Sequence, residues 1–325
     1  MGKARSIIQK VTSGDIRTVA RLIGDIDDGI EEARDLLKEL YPYTGRAYII
    51  GITGAPGVGK STLVDQMASH IRKNGKTLGI LAVDPSSPFS GGAFLGDRVR
   101  MQRHSMDQGV FIRSMATRGH SGGLTGTTRG AIDVLDAMGK DYIILETAGV
   151  GQEAADLLKS AHTKVIVLIP GMGDDIQAMK AGILEAGDIF LINKSDREGA
   201  EKTLNDLRLM MDMDQKKYAD GRWRPPIIKI EALSGRGVEE FLVEVERHRN
   251  CLMKDNGSLG LRRNKEMVSA ELKDMVSARL LEEVIGHLAA SGDFNDAVDA
   301  VVRGDTDPYS ACDNLILPLL KIPDL

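Results

Sequence analysis

Short aliphatic, β-branched runs alternate with segments of helical period along most of this chain. Runs at 48–53, 78–83, 110–115, 142–145, 165–169, 189–192 and 227–230 predict seven strands. Apolar positions at helical spacing predict helices over about 62–73 and 238–248. Such alternation predicts an α/β fold with a doubly wound, mostly parallel sheet.

The two ends read differently. Residues 4–40 read as helices: Ile16, Val19, Ala20 and Ile23 make one apolar face that stops before Gly24, and Ser13-Gly14-Asp15 is a break with capping chemistry. A second helix from Asp27 or Asp28 to Leu40 puts Ile30, Ala33, Leu36, Leu37 and Leu40 on one side, and Pro42 and Gly45 close the arm. After about residue 252 the pattern changes again. Residues 254–260 read as a polar linker, followed by helices over 264–289, 294–302 and 308–320. The first carries an apolar stripe of Met267, Leu272, Met275, Val276, Leu280 and Ile285, suited to a core or a subunit contact. The expected division is a helical arm over 1–46, an α/β domain over 47–252 and a helical region over 253–325 through which a homodimer forms.

Composition narrows the class. A chain of 325 residues with 42% apolar content can build a large core, and a net charge of −5 argues against a surface that coats nucleic acid. No apolar run is long enough to cross a bilayer. Cys251 and Cys312 stand far apart and belong to no metal-ligand cluster, so a reducing cytoplasm is the expected compartment. Met1 to Ser6 matches the degenerate N-myristoylation pattern, but a short lead-in explains it as well. No acid precedes Asp15, which leaves an organellar leader as an alternative.

The strongest chemistry follows the first strand. Gly54, Ala55, Pro56, Gly57, Val58, Gly59, Lys60 and Ser61 have the form G-x-x-x-x-G-K-S, between a predicted strand and a predicted helix. Glycines there let successive N–H groups turn inward around a polyphosphate, beside the positive end of a helix. Lys60 would reach the β- and γ-phosphates, Ser61 would hold Mg²⁺, and Thr62 would lie close to the α-phosphate. That predicts a P-loop nucleotide-binding protein.

Every other suggestive stretch falls at the carboxyl end of a predicted strand, where open α/β sheets bind ligands. Asn193-Lys194-Ser195-Asp196 is the guanine-reading pattern: Asp196 would accept from N1–H and the exocyclic amine while the Lys194 stem lies along the base. Adenine would leave that carboxylate unpaired, so GTP and GDP are expected over ATP. Ala232, Leu233 and Ser234 follow the seventh strand and could offer N–H groups to the guanine O6. Asp84 and Asp97 are candidate Mg²⁺-side carboxylates. Residues 117–128, with Arg118 and His120, read as a long polar loop. Glu146 ends the fourth strand, where a carboxylate can orient a metal-bound water, and the Gly149 N–H can meet a γ-phosphate. Gln152 has the residue type of a water-positioning glutamine, with a surface role as the alternative. Residues 171–180 read as a strand-to-helix turn with Asp174 or Asp175 as cap, or as a loop that moves.

Taken together, Gly54 to Thr62, V-D-P-S-S at 83–87, L-G-D-R at 95–98, F-I-R-S-M-A-T-R-G-H at 111–120, Glu146 to Gln152 and Asn193 to Asp196 resemble the MeaB-type G proteins, also called ArgK or MMAA-type. The resemblance spans nearly the whole chain and implies a SIMIBI-like G domain. It also implies a slow GTPase that gates adenosylcobalamin delivery to a B12-dependent acyl-CoA mutase of the methylmalonyl-CoA mutase type, guards that enzyme, and is stimulated by it. In a eukaryote the compartment would be the mitochondrial matrix. Residues 171–180 would be an extra switch loop, with Lys180 as a catalytic or coupling charge beside Lys60 and Glu146. Two departures stand out: Glu153-Ala154 replaces the family's usual Ser-Glu, and Asp175 replaces a glutamate in the extra switch loop. Two other classes remain as alternatives: a nickel-delivering metallochaperone GTPase, which would need a Cys/His site, and a small-molecule kinase, which would prefer ATP.

Overall fold

A computed structural model describes residues 2–84, 102–104, 106–116, 123–147, 149, 152–171, 183–213 and 223–318 of the chain. Seven strands, β1 (Tyr48–Thr53), β2 (Leu78–Asp84), β3 (Val110–Ala116), β4 (Tyr142–Thr147), β5 (Thr163–Leu168), β6 (Ile189–Ile192) and β7 (Ile227–Lys229), form one sheet. Its order is β3-β2-β4-β1-β5-β6-β7, and every pairing is parallel. From β1 the chain moves to one side for β2, β3 and β4 and to the other for β5, β6 and β7. The crevice at the carboxyl end of β1 is therefore the switch point at which such sheets hold ligands.

Side-chain alternation divides the core into two layers. Ile50, Ile52, Leu78, Ile80 and Ile144 face one way, with α4 (Lys60–Lys73), α8 (Ala200–Met213) and the start of α9 (Val238–Ser291), while Ile49, Leu81, Val83, Ile143 and Leu145 face the other. The second layer is covered by α1 (Gly2–Thr12), α2 (Ile16–Asp27), α3 (Glu31–Leu40), α5 (Gly123–Ala137) and α6 (Gln152–Leu158). The N-terminal arm thus belongs to the core: Val11, Val19, Leu22, Ile23 and Leu40 are buried with Ala131 and Leu135 of α5. The Asp136 carboxylate fastens its exit, accepting from the backbone N–H groups of Gly45, Arg46 and Ala47 at 2.6, 3.1 and 2.9 Å. Asp15 caps α2, accepting from Thr18 N at 2.7 Å.

Three expectations are corrected. Gly24 does not end its helix. That helix continues to Asp27 because Leu22, Ile23 and Ile26 are all buried on one face, and the next helix begins only at Glu31. Residues 123–128 are the first turns of α5, so the polar stretch at 117–128 is helical in its second half. Residues 254–260 are no linker either, since α9 runs unbroken through them. The remaining helices are short: α7 (Ile183–Ala186), α10 (Asp293–Arg303) and α11 (Pro308–Ile316).

The distal part of α9 lies across α5 and α3. Met267 is buried in the second core layer, Glu271 pairs with Arg129 at 3.4 Å, and Glu282 pairs with Arg34 at 3.7 Å. Arg129 also faces Asp133 at 3.4 Å. Burial pushes the Asp133 carboxyl up to about 6, against the pull of Arg129 and with help from the charges of Glu271 and Asp136. Because this folded-state value lies above that of an unfolded aspartate, Asp133 contributes stability below pH 4 that is lost as pH rises through about 6. The difference corresponds to roughly 3 kcal/mol. Asp133→Asn is accordingly expected to raise Tm at pH 7.5 and by only about a third as much at pH 4.5. Equal shifts at the two pH values in melting curves would rule this out.

Candidate functional site

The site is assembled where β1 gives way to α4. Gly54 has φ 155° and Gly59 has φ 97°, values in which side-chain-bearing residues are strained. Space forbids a side chain as well: a Cβ on Gly54 would sit 2.3 Å from Val167 O, and one on Gly59 would sit 2.4 Å from Asn193 Nδ2. The loop is therefore pressed between β5 and the turn after β6. Val58 is fully buried and anchors its middle. Lys60, also buried, donates from Nζ to the carbonyls of Gly54 and Ala55 at 2.8 and 3.1 Å, so its ammonium lies under the loop that would wrap a polyphosphate.

On the side expected to hold a metal, Ser61 Oγ donates to Glu146 Oε1 at 2.6 Å, and both residues are buried. Glu146 stands opposite Ile52 of β1 and Ala82 of β2 in the sheet register, which places it between the carboxyl ends of those strands. Two hard oxygen donors brought together at a helix N-terminus fit a Mg²⁺ ion in chemistry and position. Asp84 ends β2, paired in register with Ala116. Asp97 and Lys180 lie outside the described residues, as do residues 172–180 of the expected extra switch loop. Gly149 is held from its carbonyl, which accepts from Thr53 Oγ1 at 2.7 Å, while Thr147 Oγ1 lies 2.8 Å from Thr53 Oγ1 and 3.0 Å from the same carbonyl. Thr53 and Thr147 were not singled out from sequence. Each is a strand-end threonine, and only the β1–β4 pairing shows their joint role.

On the side expected to hold a base, Asn193 is buried and works in two directions. Its Nδ2 donates to Val58 O at 2.7 Å and its Oδ1 accepts from Ala232 N at 2.9 Å, so one side chain ties the phosphate loop to the loop after β7. Lys194 adopts φ 56° and donates from Nζ to Gly57 O at 2.8 Å, laying its stem across the same gap. Asp196 is exposed beyond them. In the loop after β7, Ala232 is buried, Leu233 is exposed, and Ser234 Oγ donates back to Glu231, at 3.2 Å from its carbonyl and 3.1 Å from Oε2. The structure therefore brings Gly54 to Ser61, Glu146, Gly149, Asn193, Lys194 and Ala232 into one connected set. Thr62 follows it on α4, and Asp196, Leu233 and Ser234 form its outer rim.

Comparison with known proteins follows this geometry. The sequence profile of the family described as "Methylmalonyl Co-A mutase-associated GTPase MeaB" matches residues 19–289. A Pyrococcus abyssi protein named as a GTPase is 46% identical, covering 97% of this chain and 96% of its own. The GTPase ArgK of Escherichia coli is 33% identical over 80% of this chain and 77% of its own. The mouse protein named methylmalonic aciduria type A homolog, mitochondrial, is 32% identical over 88% of this chain and 68% of its own. Among solved structures, one described as a LAO/AO transport system kinase superposes with a TM-score of 0.68 over 98% of both chains, at 21% identity, which speaks for the fold alone.

Proposed function

We propose, from the premise that this chain belongs to the MeaB family of methylmalonyl-CoA mutase-associated GTPases, that it is a GTP-hydrolysing chaperone of a B12-dependent acyl-CoA mutase. In this role it gates adenosylcobalamin loading and protects the mutase, with low intrinsic GTPase activity that the partner raises. The P-loop fold and the guanine-nucleotide chemistry follow from family membership. The single observation that carries the rest is convergence: the base-side residues Asn193 and Lys194 and the metal-side pair Ser61 and Glu146 all close on one short loop. A nucleotide seated there would touch both sides, so loss of its γ-phosphate would alter one side while the base held the other.

In hydrolysis, water attacks the γ-phosphorus, the bond to the bridging oxygen breaks, and GDP and phosphate leave. Lys60 spreads the charge that develops on the phosphate oxygens, the loop N–H groups hold the β-phosphate, and Ser61 and Glu146 would hold Mg²⁺ directly and through water. Bound there, Mg²⁺ would neutralise the β- and γ-oxygens. Lys180 is proposed as an added charge from the extra switch loop, with Asp84 and Asp97 on the metal side.

Homodimer formation is proposed through the C-terminal region. Leu272, Met275, Val276, Leu280 and Ile285 of α9 and Phe294 and Val298 of α10 are exposed, and apolar side chains on these two helices suit contact with a second copy. We retain the division at 47 and 252 as a functional one, although α9 crosses its second boundary. Among the described residues no helix is long and apolar enough to cross a membrane.

A test uses the purified chain and an adenosylcobalamin-dependent acyl-CoA mutase in size-exclusion chromatography with GTP, GDP or neither, together with phosphate release. The expected result is a complex whose stability depends on the nucleotide, and faster hydrolysis when the mutase is present. Absence of any complex in all three conditions would refute the chaperone reading, and phosphate transfer to a small-molecule acceptor would favour a kinase instead.

A further inference from the structure

Side chains alternate across a strand, so neighbours at the end of β4 turn to opposite faces of the sheet. Glu146, with Ile144, turns to the face of α4 and takes the Ser61 hydroxyl, whereas Thr147, with Leu145, turns to the other. Thr53 ends β1 one residue beyond the Ile52–Glu146 register pair and immediately before Gly54, so the two threonines close adjacent strands side by side. Both are buried, at 0% and 3% exposure. Their hydroxyls form an ordered chain: Thr147 Oγ1 donates to Thr53 Oγ1 at 2.8 Å, and Thr53 Oγ1 donates to the Gly149 carbonyl at 2.7 Å. Thr147 Oγ1 also lies 3.0 Å from that carbonyl, so a second donor is within reach of the same acceptor.

The sheet does not need these hydroxyls. Valine has nearly the same shape, suits a buried strand end at least as well, and takes no polar atom out of water. Gly149 itself is only half-buried, which weakens any need of its carbonyl for a donor from the protein. What directional bonds add is position. They hold Gly149 beside Thr53, which precedes the phosphate loop, and beside Thr147, which follows the Mg²⁺-side candidate Glu146. Gly149 is thereby kept at the crevice where a γ-phosphate would lie, and its carbonyl need not be repositioned when the phosphate arrives.

Resting on the GTPase reading above, we propose that Thr53 and Thr147 are positioning residues for the γ-phosphate: through the Gly149 carbonyl they set the place from which the Gly149 N–H meets it. The base and the β-phosphate are held by other residues, so GDP affinity does not depend on the hydroxyl pair. GTP affinity and hydrolysis do. Because either hydroxyl can reach the carbonyl, the loss of one is partly covered by the other, and the loss of both costs more than the product of the single losses.

The test compares wild type with Thr53→Val, Thr147→Val, the double valine variant and the double serine variant. Affinity for a fluorescent GDP analogue, affinity for a non-hydrolysable GTP analogue with Mg²⁺, and kcat for phosphate release are read for each. The expected result is GDP affinity within about twofold of wild type throughout. In the double valine variant, affinity for the GTP analogue falls about tenfold and kcat roughly tenfold to a hundredfold, while each single variant loses no more than about twofold in either. Serine keeps the hydroxyl and loses only the methyl group, so the double serine variant should stay near wild type. A pair that served stability alone would move GDP and GTP affinities together. A folded double valine variant with the wild-type ratio of GTP to GDP affinity and wild-type kcat would overturn the proposal. Tighter binding of the GTP analogue would overturn it too, since the bond would then hold Gly149 out of reach. If the double valine variant does not fold, the single variants decide, and equal loss of both affinities, or none, counts against the pair. A wild-type chain that binds both guanine nucleotides without hydrolysing GTP would sink the GTPase reading, and the affinity ratio would still decide the role of the hydroxyls.

Discussion

Lys60→Met is expected to remove GTP hydrolysis and to weaken GDP and GTP binding by on the order of a thousandfold, about 4 kcal/mol. The ammonium is buried beneath the loop and already bonded to the Gly54 and Ala55 carbonyls, so it serves both the loop's shape and the charge of any phosphate within it. Methionine keeps the unbranched stem and its packing, which separates loss of charge from loss of volume. Removing the ammonium also leaves those two carbonyls short of a donor, a cost that falls on the loop itself. Titration calorimetry with GDP and a phosphate-release assay give the two numbers needed. Retention of both binding and hydrolysis would remove the phosphate-loop assignment and, with it, the functional proposal.

How far the sequence carried the fold depended on how local each signal was. The strand after the N-terminal arm was legible because β1 is apolar at nearly every position and is bounded by a glycine loop. Residues 254–260 misled because Asn256, Gly257, Ser258 and Gly260 are poor helix formers, and propensity is a weak prior where tertiary contacts decide. Farther along the same helix, Met267 is buried and Glu271 and Glu282 are paired, and those contacts hold it on α5 and α3. The Gly-Thr-rich start of α5 misled for the same reason, although Thr128, Ala131 and Ile132 are buried in it.

The site divides along the same line. Gly54 to Ser61 announced themselves because eight adjacent residues carry the whole pattern. Asn193 was recognised as part of a guanine motif, but its work of tying Val58 to Ala232 spans three loops that only the sheet brings together. Thr53 with Thr147 had no sequence signal, since the two are far apart along the chain and common in residue type.

Asp196→Asn is the second large effect expected: preference should move from GTP towards xanthosine triphosphate by roughly a hundredfold to ten-thousandfold, about 3–5 kcal/mol. Asn193 is occupied on both sides of its amide and Lys194 is committed to Gly57, so of the four motif residues Asp196 stands exposed with its carboxylate available to a base. A carboxylate accepts from guanine N1–H and the exocyclic amine. An amide in its place offers a donor where xanthine carries a carbonyl, and it leaves one guanine donor facing another. The substitution is on the surface, so melting temperature should hardly change, which keeps a loss of affinity from being mistaken for a loss of fold. Competition between the two triphosphates for a fluorescent GDP analogue reads the ratio directly. Unchanged GTP affinity would show that another residue reads the base, and Ala232, whose N–H is already engaged by Asn193, would be a poor replacement.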